Sequence, residues 1–112
     1  MKRAAIRIQE RLDSAVHLLG GDAAVAEILG VEPATLQRWR EGELPNPEQR
    51  GRIIGLDAVL ALLEGYLEVE SVRKWLNGNN AHLDGRPVSM LRKGCTGEVI
   101  AAIEAQKSMG FA

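Results

Sequence analysis

The chain is poor in what most active sites are made from. Aromatic side chains make up 4% of its 112 residues, and it has one cysteine and two histidines. A single thiol excludes an internal disulfide framework and a zinc site built on several thiolates. No apolar run reaches the roughly 18–20 residues that a membrane span needs. The basic start, Met1-Lys2-Arg3-Ala4-Ala5-Ile6-Arg7, runs into Gln9, Glu10, Arg11 and Asp13, which break any apolar stretch of a secretory signal. We therefore expect a cytoplasmic protein with no membrane partner. His17 and His82 are far apart in the sequence, and Cys95 stands between Gly94 and Thr96 with no histidine nearby. Gly20-Gly21-Asp22 reads as a helix stop followed by a cap, and no glycine loop is built to cradle phosphate. No catalytic residue, metal ligand or cofactor site emerges, and the expectation is a protein that is not an enzyme.

What is present points to helices. Hydrophobic residues reach 46% of the chain, and with so few aromatics the core must be aliphatic. A chain of this length buries one core, so it holds one domain or two small ones sharing an interface. Ile8, Leu12, Ala15, Val16 and Leu19 recur at helical spacing until Gly20-Gly21, which predicts a first helix over about 2–19. Asp22 is placed to N-cap a second helix ending at Leu29 before Gly30. Pro33 suits the first turn of a third helix running to Glu41. Asn46-Pro47 opens a long fourth helix, about 47–67, with Ile53, Ile54, Leu56, Val59, Leu60, Leu63 and Leu67 on its apolar face. Gly51 and Gly55 each weaken that helix by about 1 kcal/mol relative to Ala. They either admit a closely crossing helix or are poorly optimised surface positions. Further helices are predicted at about 70–77, from Pro87 to Lys93, and at about 97–109 with Thr96 as its N-cap. Nothing reads as a strand, and the fold class is all-α.

Residues 22–42 have the pattern of a helix-turn-helix: two turns of helix, the tight turn Gly30-Val31-Glu32-Pro33, and a second helix. Ala26, Leu29, Val31, Leu36 and Trp39 form the inward set, which leaves Thr35, Gln37, Arg38 and Arg40 outward as candidate DNA-binding residues. Gln can read adenine and Arg guanine at the base edge, while Thr and a second Arg suit phosphates. The charge argues the other way, because residues 21–50 carry three basic and six acidic side chains. Glu32, Glu41, Glu43 and Glu48 surround the would-be reading helix and would repel a phosphate backbone. Lys2, Arg3, Arg7 and Arg11 are either a basic arm for phosphates or an ordinary solvated face.

The C-terminal third is the most particular stretch. Trp75-Leu76 is followed by the turn-forming loop Asn77-Gly78-Asn79-Asn80, then by Leu83-Asp84-Gly85-Arg86-Pro87 leading into a short helix. Trp75 and Leu76 need apolar partners, which the fourth and seventh helices can supply. Arg73 and Lys74 are expected to be solvated, and Asp84 to bond nearby backbone amides. The chain finishes Gln106-Lys107-Ser108-Met109-Gly110-Phe111-Ala112, apolar where a frayed end is usually polar. Met109 and Phe111 therefore form a surface for a partner, or Phe111 folds back on the chain's own core.

Trp75-Leu76, Asn79-Asn80, Leu83-x-Gly85-Arg86-Pro87, Leu91, Gly94, Val99 and Gly110 together resemble the Xre-type (Xre/MbcA/ParS) antitoxins that partner RES-domain toxins. The resemblance covers nearly the whole chain, loosely over the helix-turn-helix and more specifically over residues 71–112. It implies a helix-turn-helix and dimerisation region at 1–67 and a small helical toxin-binding module at 68–112. In antitoxins of this kind the C-terminal region docks on a toxin that degrades NAD, and the chain's end obstructs the toxin's NAD pocket. By that analogy Lys107, Ser108, Met109, Gly110, Phe111 and Ala112 are the toxin-binding residues, with Met109 and Phe111 as apolar anchors. The resemblance also implies a homodimer, and promoter DNA as a further partner of the complex. The alternative from the residues alone is a stand-alone transcriptional regulator using Thr35, Gln37, Arg38 and Arg40.

Overall fold

Seven helices follow one another in the computed structural model, which describes residues 7–110. They are α1 (Ile8–Leu19), α2 (Asp22–Leu29), α3 (Pro33–Arg40), α4 (Pro47–Glu64), α5 (Val69–Asn77), α6 (Pro87–Arg92) and α7 (Thr96–Met109). Among the described residues the extended pairing is limited to an isolated antiparallel bridge between Asn80 and Gly85. The fold is all-α, as the periodicity requires.

Helix boundaries follow local chemistry, with small departures from the sequence reading. Arg7 is extended (φ −78°, ψ 155°) and α1 begins at Ile8, while residues 2–6 of the expected first helix lie outside the described residues. The Glu10 carboxylate accepts the Arg7 backbone N–H at 3.4 Å and fixes that start. Gly20 ends the helix in the left-handed region at φ 90°, a conformation that suits a residue without Cβ. Asp22 is the first helical residue of α2, not its N-cap; Gly21 takes the cap position, and the Asp22 carboxylate instead accepts from Arg40 at 2.6 Å. The Asn46 side chain accepts from the Gln49 N–H at 2.8 Å and opens α4, which closes at Glu64, three residues short of the expected end. Cys95, rather than Thr96, is the N-cap of α7.

One continuous aliphatic core joins all seven helices. It holds Leu12 and Leu18 of α1, Leu29 and Leu36 of α2 and α3, and Leu60 and Leu63 of α4. Val72, Leu76, Leu91, Val99 and Ile103 of the later helices belong to the same cluster, so apolar packing crosses residue 67 without a break. Each fully buried Leu contributes about 1.5–3 kcal/mol, so this core far outweighs any single surface pair. The inward set of α2 and α3 is where the pattern put it: Ala26, Leu29, Leu36 and Trp39 are buried and Val31 half-buried. On α4 one residue departs, because Ile54 faces solvent at 42% exposure. Its neighbours Ile53 and Leu56 take the face against α1, α2, α5 and α7, and Ile54 lies on the opposite side.

Two arginines tie helix ends together. Arg52, in the second turn of α4, donates to the carbonyls of Ile28 and Leu29 at 3.0 and 3.1 Å. The same guanidinium donates to those of Leu91 and Arg92 at 3.1 and 2.8 Å. It therefore satisfies orphan carbonyls at the C-termini of both α2 and α6. Arg73 of α5 does the same for α1, donating to Leu18 at 2.7 Å and His17 at 3.2 Å. The expectation of a solvated Arg73 is corrected: its side chain is half-buried against a helix end. The glycine pair on α4 divides. A Cβ on Gly55 would lie 3.2 Å from both Cγ2 and Oγ1 of Thr96, so this glycine admits the start of α7. Gly51 has open space where its Cβ would be.

Candidate partner-binding site at the end of the last helix

The site begins with the bond that fixes α5 to α7: the Trp75 indole N–H donates to the Gln106 side-chain oxygen at 2.8 Å. The Trp75 ring packs partly buried against the core, with its polar edge satisfied, as an indole in that position requires. From there the chain runs through the Asn loop. Asn80 and Gly85 exchange backbone bonds, Asn80 N–H to Gly85 at 2.7 Å and Gly85 N–H to Asn80 at 3.3 Å. Inside that ring the Asn80 side chain accepts the N–H groups of His82 and Leu83 at 2.9 and 3.2 Å. The amide-bonding role expected of Asp84 thus belongs to Asn80. Asp84 supplies the left-handed residue of the turn, with φ 55°, a conformation Asp tolerates better than most side chains.

Between this closed loop and the last turns of α7 lies an open cleft of about 490 Å³. Asn79, Asn80, Ala81 and His82 form one wall. Ala102, Ala105, Gln106 and Met109 form the other, with Gly110 at the mouth. The alanines keep the α7 wall low, which is what leaves the space. Met109 stands on the rim at 85% exposure, the most exposed large apolar side chain described.

The structure separates the expected toxin-binding residues. Met109 and Gly110 line the cleft. Ser108 turns its hydroxyl back to the Glu104 carbonyl at 3.2 Å. Lys107 points elsewhere, with its Nζ 5.5 Å from the centre of the Tyr66 ring. Hydrogen bonding to Tyr66, then the charge interactions with Tyr66 and Glu104, hold the Lys107 ammonium above the ordinary lysine value. Phe111 and Ala112 lie outside the described residues, as do Lys2 and Arg3 of the basic arm.

Of the four candidate DNA-binding residues, Gln37, Arg38 and Arg40 are held by carboxylates. Gln37 donates to Glu41 at 3.0 Å, and Arg38 pairs with Glu43 at 3.2 Å while donating to the Thr35 hydroxyl at 3.3 Å. Arg40 does not face outward as expected. It bridges Asp13 at 2.8 Å and Asp22 at 2.6 Å, joining α3 to α1 and α2. Gln37 and Arg38 remain exposed, and each would have to leave its acidic partner to meet a nucleic acid.

His17 and His82 are both exposed and lie on separate elements. The Cys95 thiol is pushed above its usual value, first by its hydrogen bond to Glu98, then by desolvation and the Glu98 charge, with Lys93 opposing. A thiol held protonated is a poor nucleophile. Among the described residues no group of three or more His, Cys, Asp or Glu could hold a metal ion. No described helix is long and apolar enough to cross a membrane.

The residues that sequence reasoning missed are Arg52, Arg73, Gln106 and Asn80. The signal available for Asn80 was its place in an Asn-rich turn. For Arg52 and Arg73 there was none, because their acceptors are backbone carbonyls.

The geometry defines an all-α fold with a preformed cleft at its C-terminal end. No protein-family profile matches this chain, and a search of curated proteins finds no match. Among solved structures, it is similar to a chain of the M. tuberculosis MbcT-MbcA toxin-antitoxin complex, with a TM-score of 0.77 and 24% sequence identity. That alignment covers 94% of this chain and 97% of the other, so the two share a fold from end to end.

Proposed function

We propose that this chain is an antitoxin. It binds and neutralises a RES-domain toxin that degrades NAD, occluding the toxin's active site with the segment Lys107–Ala112. The observation that carries the reading is Met109, 85% exposed on the rim of a cleft at the end of α7. A large apolar side chain left in water beside a preformed hollow is the composition of a binding surface. The shared fold with a chain of a toxin–antitoxin complex supports it, as do the Asn80 loop that forms one wall of the cleft and the Trp75 bond that holds Gln106 in the other. In this reading residues 68–112 are the toxin-binding module and residues 1–67 the helix-turn-helix and dimerisation region. Occlusion needs no catalytic group, and none is assigned.

Co-expression with the product of the adjacent gene tests the reading, with growth and intracellular NAD followed together. The neighbour alone should deplete NAD, and the full chain should restore it. Removing residues 107–112 should abolish rescue and leave the fold intact, with only the last three residues of α7 lost from the helix. A truncated chain that still protects would sink the occlusion mechanism. A harmless neighbour would sink the antitoxin reading itself.

A second reading, promoter binding through α3, rests on the exposure of Gln37 and Arg38. Their carboxylate partners place it behind the first.

A further inference from the structure

The bonds already made around the cleft decide what its side chains have left to offer. A side-chain amide accepts at its oxygen and donates at its nitrogen. The Trp75 indole N–H only donates, so Gln106 must turn its oxygen to it, at 2.8 Å. The backbone N–H groups of His82 and Leu83 impose the same choice on Asn80, whose oxygen takes both at 2.9 and 3.2 Å. Both amides are thereby locked in one orientation, each with its NH2 group left over. Among the described residues neither nitrogen donates to another group. One of these amides stands on each wall of the cleft. Asn79, beside Asn80, makes no hydrogen bond through its side chain among the described residues, so it can present either end.

The rest of the lining excludes the obvious alternatives. Among the described residues no Lys, Arg, Asp or Glu lines the cleft. A carboxylate or phosphate would meet donors there but no counter-charge, and would lose more in leaving water than it gained. No Phe, Tyr or Trp ring lines it either, which leaves a nucleobase nothing to stack on. Two donors on facing walls, one rotatable amide and an aliphatic floor match a stretch of polypeptide main chain. Its carbonyls accept from Asn80 and Gln106, and Asn79 can take its N–H. The side chain it brings must be uncharged and aliphatic, to lie over Ala102 and Ala105 under the adaptable Met109. At about 490 Å³ the cleft falls in the range of ligand-sized hollows, about 300–1,000 Å³.

We infer that the cleft receives an uncharged main-chain segment of a partner protein, held through its carbonyl oxygens by the NH2 groups of Asn80 and Gln106. In the proposed function the end of this chain enters the partner; here a piece of the partner enters this chain. The inference rests on reading the cleft as a partner site and holds whether or not that partner is a toxin.

Two isosteric substitutions isolate the donors. Asn80→Asp and Gln106→Glu keep the oxygens that serve His82, Leu83 and Trp75, and remove only the NH2 groups. The full-length chain, labelled with nitrogen-15 and observed by NMR, is titrated to tens of millimolar with an uncharged capped tetrapeptide, acetyl-Ala-Leu-Ala-Ala-N-methylamide. The side-chain NH2 signals of Asn80 and Gln106 and the backbone amides of Ala102 and Ala105 should shift saturably. Each variant should weaken binding by roughly threefold and the two together by roughly tenfold, the scale of one and two neutral hydrogen bonds. Sodium acetate and adenosine should give no saturable shift at the same signals. A peptide that causes no saturable shift overturns the proposal. So does a double variant that binds as the wild type does, or acetate or adenosine binding as tightly as the peptide. Far-UV circular dichroism and Trp75 fluorescence should be unchanged in both variants; if one disturbs the loop, the other and the three probes on the wild type still decide. Failure of the antitoxin reading would appear only in the NAD assay, which uses no peptide.

Discussion

The guanidinium of Arg52 bonds the carbonyl of Arg92, forty positions further along the chain, at 2.8 Å, and in doing so it holds the end of α6 against the end of α2. Removing that guanidinium leaves four carbonyls at two helix C-termini without their charged donor. Arg52→Ala should lower stability by about 2–3 kcal/mol, the scale of losing charge-assisted bonds at a partly buried site. Arg52→Lys should recover less than half of that, because a point ammonium cannot serve both helix ends as a planar fork does. Urea unfolding measures both. A change below about 0.5 kcal/mol for Arg52→Ala would show that the bridge is ornamental.

Arg73 performs the same task for one helix end instead of two. Arg73→Ala should therefore lower stability by about 1 kcal/mol, and hydrogen exchange should speed up first in the last turn of α1.

The two glycines of α4 should respond oppositely to alanine. Gly51→Ala, into open space, should stabilise by roughly 0.5–1 kcal/mol through helix propensity alone. Gly55→Ala meets Thr96 with both branches of its side chain at 3.2 Å, so no rotation of Thr96 relieves the contact. It should destabilise, because α7 must shift to make room. Thermal unfolding of the two variants, side by side, checks the contrast.

Glu98 should lower the reactivity of Cys95, because it favours the protonated thiol. With the thiol's folded pKa raised, its protonation favours the folded state at neutral pH, and that contribution fades as pH climbs through the raised value. Glu98→Gln removes the carboxylate, so the thiolate fraction at pH 8 should rise. Alkylation by iodoacetamide should then be several-fold faster than in the wild type. An unchanged rate would mean that Glu98 does not hold the proton.

Met109 should matter to a partner and not to the fold. Met109→Glu should leave stability within about 0.5 kcal/mol, as expected of an exposed position, while weakening rescue in the co-expression assay. Equal rescue by Met109→Glu would move the contact away from the cleft rim.

Much of this architecture was legible because its punctuation is chemical. Gly30, Pro33, Asn46-Pro47 and Pro87 mark helix ends through backbone constraints that act wherever they occur, and each marks one here. The inward set of α2 and α3 followed from a clean helical period. Ile54 did not, because α4 has a broad apolar face and periodicity alone cannot choose between adjacent isoleucines. The cleft was half legible. Its loop composition was visible, but whether Asn80 or Asp84 bonds the amides depends on the register of the turn. Arg73 and Arg40 were misjudged for a common reason. Long basic side chains reach acceptors on other helices, and those distances exist only once the core has packed.

The loop from Asn80 to Gly85 closes on itself before anything enters the cleft. Most of the ordering entropy of that wall has therefore been spent during folding, and a partner arriving there need not supply it again. Rigid on one side and soft at Met109 on the other, the cleft should discriminate by shape along the Asn loop and adapt by side-chain rotation along α7.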